Sequence, residues 1–280
     1  MTDTPAAIDL SYVEAVLGPC TVVREHSWPH RGATVLEIGD ASGRRWFAKR
    51  HQRREQYDRE LSAYLRWVPA LRPNAPELHA YDDERRTLVL SAVPGRVVPD
   101  HTPGLHRLGG TLLRRLHDAE EFTPDPDYAA AKEAELEEWL ARSDGLLDPA
   151  ETAFARSEIR CLQGLPSPPT VPCHRDYSPR NWLLDGRNLY AIDFEWARPD
   201  AWVADLGKLF FGPWQGRPDL RDAFLEGYGH MLTGDDLGHL VHGHALTVTW
   251  QLIWSTQHGN LSFAAGTREV LHGLMQRAYS

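Results

Sequence analysis

The spacing of apolar residues changes partway along the chain. Thr21–Arg24, Ala33–Ile38 and Arg45–Lys49 are β-rich runs separated by turn residues, the pattern of short strands. From Gln52 to Val68 the apolar side chains Tyr57, Leu61, Tyr64, Leu65 and Val68 recur at helical spacing, and Pro69 ends the run. Glu77–Tyr81 and Thr87–Val93 predict two further strands, turning at Asp82-Asp83-Glu84. The first part is thus expected to be a small α+β lobe of five strands and one main helix. Helical stripes dominate beyond it, in Leu105–Leu116, Tyr128–Leu140, Thr152–Leu162, Trp202–Phe211, Leu220–Leu232 and Leu237–Trp254. One β island interrupts them: Trp182–Leu184 and Leu189–Ile192 flank the hairpin-turn residues Asp185-Gly186-Arg187-Asn188. Pro94-Gly95, Pro99 and Pro103 punctuate the junction and read as a linker. The expected organisation is a β-rich lobe over 1–93, a hinge over 94–103 and a larger, mostly helical lobe over 104–280.

Composition narrows the class. With 42% apolar and 25% charged residues among 280, the chain has the ordinary globular balance, which excludes disorder, collagen and a disulfide scaffold. Thirty basic against 39 acidic side chains give a net charge of −9, which repels phosphate backbones and argues against a nucleic-acid partner. The charge is uneven: residues 1–95 carry thirteen of each sign, so the whole acidic surplus lies downstream. Cys20, Cys161 and Cys173 form neither an even set nor a CxxC pair, and a reducing cytoplasm is the expected location. The N-terminal segment has acids where a signal peptide needs a basic start, and no stretch reaches the ~20 apolar residues of a membrane span. No obligate protein partner is evident.

The chemistry-bearing segment is His174-Arg175-Asp176-Tyr177-Ser178-Pro179-Arg180-Asn181, followed across the hairpin by Ile192-Asp193-Phe194. Phosphoryl transfer needs this set: one carboxylate to orient an attacking hydroxyl and accept its proton, and an amide with a second carboxylate to hold Mg²⁺. Two acids converging on one site repel unless a cation lies between them. Taken singly, Asp176 reads as a turn residue and Asp193 as a strand end; the typed set at this spacing carries the chemical reading. Upstream, strand alternation puts Lys49 on the face of Phe47, where a lysine needs an anionic partner. Glu60, three after Tyr57 and four before Tyr64, lies on the core-facing stripe of the following helix and can supply it.

On these residues the chain resembles the aminoglycoside phosphotransferase and choline-kinase-like family, which shares the bilobal protein-kinase fold, over nearly its whole length. The resemblance implies that Lys49 holds the nucleotide α/β-phosphates, Glu60 orients Lys49, Asp176 is the catalytic base, and Asn181 and Asp193 ligate Mg²⁺. It also implies that the backbone of Ser91-Ala92-Val93 reads the purine and that His174 and Asp205 brace the catalytic loop. ATP, with GTP as an alternative, and Mg²⁺ are the implied cofactors. Two departures stand out: most members carry Gly where Arg175 stands, and Glu195 occupies the place of the Gly in a D-F-G-like turn. The loop His26–Gly32 has no G-x-G-x-x-G, and Gly207-Lys208 is not a Walker A loop. Too few residues separate Asp193 from Trp202 for an activation loop, and no A-P-E follows, so a small molecule rather than a protein is the expected acceptor. A nucleotide-binding pseudoenzyme would lack Lys49, Asp176 or Asp193, and all three are present.

The downstream acid surplus favours a cationic acceptor. An aminoglycoside or cationic peptide antibiotic is expected first, with choline, ethanolamine or an amino-sugar metabolite as the alternative. Glu195 and Asp200, just beyond Asp193, are expected to face that acceptor together with Trp202. Glu133 and Glu137 are expected on a solvated helix face. Trp250 and Trp254, four apart, read as core packing before a cation cage. His239, His242 and His244 read as a helical surface cluster before a zinc site.

Overall fold

In the computed structural model, which describes residues 7–27, 32–121 and 123–278, helix α1 (Leu10–Leu17) precedes strands β1 (Cys20–Glu25), β2 (Ala33–Asp40) and β3 (Arg45–His51). Helix α2 (Arg54–Arg66), strands β4 (Leu78–Asp82) and β5 (Thr87–Ser91) and helix α3 (Pro103–His117) follow. Next come β6 (Thr123–Pro124), α4 (Tyr128–Ala141), α5 (Pro149–Gln163), β7 (Pro169–Cys173) and the hairpin of β8 (Trp182–Asp185) and β9 (Asn188–Ala191). The chain continues with β10 (Arg198–Ala201), the short α6 (Gly207–Phe210), α7 (Pro218–Tyr228), α8 (Gly234–Gln257) and α9 (Leu261–Ala278). Two compact units result, one of 1–121, 172–199 and 208–231, the other of 122–171, 200–207 and 232–280.

In the first unit the five expected strands form one antiparallel sheet in the order β1-β2-β3-β5-β4. Alternation along β3 decides what each face does. Trp46 and Ala48 pack with Ile38 and Val89 against Ile8 and Val13 from α1 and the residues leading into it. Lys49 and His51 point the other way, toward Glu60 of α2. Helix α1 was not among the expected elements, although Asp9 caps it through Ser11 N–H (3.0 Å) and Gly18 at φ +75° stops it.

The segment expected as a linker is stitched to the hairpin. Arg96 N–H donates to the Leu184 carbonyl (3.2 Å) and Leu184 N–H to that of Arg96 (2.9 Å). Gly95 makes this approach possible: at φ +101°, any Cβ there would lie 2.7 Å from the Leu184 carbonyl carbon. Helices α3 and α7 also touch backbone to backbone. A Cβ on Gly110 would lie 2.0 Å from the Phe224 carbonyl oxygen, and one on Gly227 would lie 2.1 Å from that of Arg107.

His106 of α3 is buried and accepts the Trp214 indole N–H at Nδ1 (3.0 Å). Burial first, then the neighbouring His101 and Arg217, push its pKa down to about 4. The charged form is disfavoured in the folded chain, so this contribution to stability is complete above pH 6.5 and is lost as the pH falls toward 4. Wild-type protein should lose up to about 3 kcal/mol over that window, read as a falling urea midpoint. His106→Gln keeps an acceptor for Trp214 and cannot ionise, so it should flatten the curve. An equal slope in both proteins would assign the loss to another group.

The second unit is built on helices, with β6 pairing antiparallel to β7 at Thr123↔Thr170 and Pro124↔Pro169. Leu136, Ala155, Ile159 and Leu162 form its core between α4 and α5, with Leu246 of α8 against them. Capping boxes at Asp148/Glu151 and Thr233/Asp236 start α5 and α8. Glu137 holds Arg156 in a two-pronged pair (2.7 and 2.8 Å) and Glu133 accepts from Gln163 (3.0 Å), so these acids tie α4 to α5. The stretch expected as a helix over Trp202–Phe211 is a 3₁₀ turn, Trp202–Asp205, followed by α6. The break falls beside Gly207, where a Cβ would lie 2.9 Å from His244 Nδ1. Helix α9 was also unanticipated. Among the described residues no helix is long and apolar enough to cross a membrane.

Candidate active site

Lys49 sits on the α2-facing side of β3, buried, with carboxylates on three sides. Its Nζ lies 2.7 Å from Asp193, 2.9 Å from Glu60 and 3.2 Å from Glu195. Burial alone would push the ammonium toward neutrality, but Asp193, Glu195 and Glu60 outweigh it and hold the pKa well above its ordinary value. Glu60 is buried too. Burial pulls its pKa up, yet Lys49 and the His51 hydrogen bond bring it below the usual carboxylate range. His51 Nε2 donates to the same Glu60 oxygen (2.7 Å), while Glu60 Oε1 is buried without a partner. Glu195 goes the other way: burial, then the like charges of Asp193 and Glu60, raise it despite Lys49. The expected Lys49–Glu60 pair is therefore in place, and His51 is a partner that the sequence reading missed.

Residues 174–181 lie in the same unit and are knitted to Asp193 through its neighbour. Ile192 N–H donates to the Asn181 carbonyl (3.1 Å), and the Asn181 side-chain amide donates to the Asp176 carbonyl (2.9 Å). His174 Nε2 donates to the Ile192 carbonyl (3.0 Å), which leaves Nδ1 to accept Asp176 N–H (3.3 Å). Phe194 is fully buried against the His174 ring (4.7 Å between centroids) and Tyr64 of α2 (5.6 Å). Arg175 at φ +65° and Asp193 at φ +69° both adopt the left-handed region, where a non-glycine residue costs about 1–3 kcal/mol. That conformation explains why glycine suits the Arg175 position.

Asp176 is buried, and its two carboxylate oxygens are taken by Lys208 and Arg180. Burial would raise its pKa, but Lys208 and then Arg180 hold it below the ordinary range. The sequence pattern assigns neither cation to Asp176.

Ser91 ends β5, with its N–H on the Glu77 carbonyl (2.9 Å) and Ala92 N–H on that of Arg45 (3.2 Å). Those two donors are committed within the fold. Trp28–Arg31 of the expected nucleotide loop lie outside the described residues. Asp205 is buried in the second unit, at the end of the 3₁₀ turn.

The three expected acceptor-facing residues are not presented outward. Glu195 is buried against Lys49. Asp200 is buried and accepts from Tyr128 (2.8 Å) and Lys132 (2.7 Å), because a carboxylate at that depth needs a full set of donors. Trp202 is buried with its indole N–H on Asp236 (2.7 Å). The histidines of α8 are likewise no surface cluster: His239 is buried with Nε2 on the Pro166 carbonyl (2.8 Å), and His242 pairs with Glu158 (2.7 Å). Trp250 stands between Trp139 (5.6 Å) and Trp254 (6.3 Å) in a half-buried aromatic row, as packing.

The donors offered by Asp193 and Asn181 are a carboxylate and an amide oxygen, the hard ligands Mg²⁺ takes. One ammonium among three carboxylates leaves negative charge in surplus, and the buried Glu60 Oε1 lacks a partner. The residues present fit a divalent cation.

The architecture is that of the kinase-like phosphotransferases. A model of the phosphotransferase enzyme family APH matches residues 30–239, and the chain belongs to that family. Comparison with curated protein sequences finds no match. Among solved structures, a thermostable mutant of aminoglycoside phosphotransferase APH(4)-Ia is similar with a TM-score of 0.72 at 14% identity, covering 96% of this chain and 98% of that one. Macrolide 2'-phosphotransferase MphH from Brachybacterium faecium follows at 0.66 and 15%, covering 92% and 95%. A choline/ethanolamine kinase family protein from Mesorhizobium loti gives 0.69 and 18%, covering 97% and 92%. At these identities the likeness is one of fold.

Proposed function

We propose that this phosphotransferase moves the γ-phosphoryl group of Mg·ATP to a hydroxyl of a cationic small molecule in the cytoplasm, an aminoglycoside or cationic peptide antibiotic first among candidates. In this reading 1–93 is the nucleotide lobe, 94–103 the hinge and 104–280 the lobe of the catalytic loop and acceptor. Lys49, steered by Glu60, binds the nucleotide phosphates, and the backbone of Ser91-Ala92-Val93 meets the base. Asp193 and Asn181 hold Mg²⁺, which when bound neutralises phosphate charge. Asp176 orients the acceptor hydroxyl and takes its proton, with His174 bracing the loop. The observation that carries the reading is the 2.7 Å contact from Lys49 to Asp193, which joins the sheet's lysine to the segment of the catalytic loop.

The cationic acceptor rests on charge, since the whole surplus of −9 lies beyond residue 95. Nucleotide consumption, with ATP and with GTP, should be screened against aminoglycosides, cationic peptides, macrolides, choline and ethanolamine. One cationic class should stimulate it. The KM for that acceptor should rise steeply with ionic strength while the nucleotide KM, set by close contacts, rises less. A salt-independent acceptor KM would replace the cationic acceptor with a neutral sugar or alcohol. Nucleotide binding with no turnover on any hydroxyl would favour a pseudoenzyme.

A further inference from the structure

Two chain segments converge on the carboxylate of Asp176. Arg180, four residues on in the same loop, bonds Oδ2, and Lys208 of α6 bonds Oδ1. One carboxylate thus holds two cations. The exposures tell which way it faces: the Asp176 side chain is 1% exposed, Lys208 31% and Arg180 47%. The acid is locked in the interior, and the cations stand on its open side. Each held oxygen keeps a further lone pair, but two cations on one carboxylate weaken it as a proton acceptor, so a base in this position works best when its cations have somewhere else to go. An anion that brings more charge than one carboxylate supplies that place.

We propose that Lys208 and Arg180 are catalytic residues that contact the transferred phosphoryl group and release the Asp176 oxygens to the acceptor hydroxyl as they do so. The inference rests on the kinase reading above. In the step, the acceptor oxygen bonds to the γ-phosphorus as the bond from that phosphorus to the β,γ-bridging oxygen breaks. The bond pair leaves on the nucleoside diphosphate, and the hydroxyl proton passes to Asp176. Negative charge spread over the equatorial oxygens of the phosphoryl group is what the two cations meet. Lys208 brings a point charge on a long rotatable stem, and Arg180 a planar fork suited to two oxygens. The competing account is that both merely hold Asp176 in place.

Calorimetry on the full-length chain separates the two accounts, using Mg·ADP alone and Mg·ADP with aluminium fluoride, a mimic of the phosphoryl group in flight. Lys208→Met and Arg180→Met should bind Mg·ADP as wild type does, yet lose about 10²-fold in affinity for the aluminium fluoride complex. Lys208→Arg and Arg180→Lys should regain part of that loss, and they keep the comparison readable should a Met variant fail to fold. The loss should persist when Asp176→Asn is the background, because the contact is with the phosphoryl group. Unchanged aluminium fluoride affinity, or a loss that disappears in the Asp176→Asn background, would overturn the proposal and leave the cations as supports of the acid. Wild-type protein that binds no Mg·ADP at all would overturn the kinase reading and this proposal with it.

Discussion

Asp176→Asn is expected to lower kcat by about 10²–10⁴-fold, because the amide keeps the shape of the carboxylate and cannot take the acceptor proton. Nucleotide affinity should barely change, since the groups proposed to bind it are Lys49, Asn181 and Asp193. A stability cost should accompany the loss. Lys208 and Arg180 both lose their anionic partner, and the pKa of Asp176 is held below its ordinary value of 3.8 by those cations. A depressed carboxyl stabilises the folded chain at neutral pH and ceases to do so as the pH falls through its folded value. The wild-type advantage over the variant in urea should therefore be present at pH 7 and shrink in acid. Near-normal turnover by a folded Asp176→Asn protein would remove the residue from the base role.

The second large effect is expected where two helices meet backbone to backbone. Gly110→Ala places a methyl 2.0 Å from the Phe224 carbonyl oxygen and 2.8 Å from the Tyr228 nitrogen, and both are backbone atoms of a packed helix. No rotamer change can relieve that clash, so α3 and α7 must move apart at a cost of about 3 kcal/mol or more. The unfolding midpoint in urea should drop with an unchanged slope. Gly104→Ala on the same helix is the control, because a Cβ there meets only Thr102 Oγ1 at 4.0 Å. Removing a helical glycine at that exposed site should be neutral or stabilising by roughly 0.5–1 kcal/mol. A Gly110→Ala midpoint equal to wild type would mean that the helices are not seated backbone to backbone.

Local pattern made much of this structure legible. The five strands, α2 and the hairpin follow from period and turn chemistry, which act over a few residues. The Lys49–Glu60 pair was legible because strand alternation and helix spacing each fix a face. His51 could have been found by the same rule, since it lies two residues beyond Lys49 and shares its side of β3. Lys208 could not, because its partner Asp176 is 32 residues away and nothing periodic joins them. Asp200 and Trp202 follow Asp193 closely along the chain, but their partners in the fold, Lys132 and Asp236, are set by tertiary packing that no local pattern encodes. Helix α1 was overlooked because its eight residues show little more than two turns of pattern.

The α3–α7 seat has a bearing on how the chain is made. The Thr111 hydroxyl of α3 bonds the carbonyl of Gly227, 116 residues later. At the ~5–20 residues per second of ribosomal synthesis, α3 leaves the tunnel roughly 6–23 s before the helix that covers it. Throughout that interval Leu112, Leu113 and Leu116, all buried in the finished molecule, have no α7 beside them. The first unit is threaded from three stretches of chain and is complete only once residue 231 has emerged. Nascent chains arrested before α7 should therefore stay protease-sensitive over α3, and those arrested well beyond it should be protected. Chaperones that hold exposed apolar stretches would find their binding surface on this protein in that window.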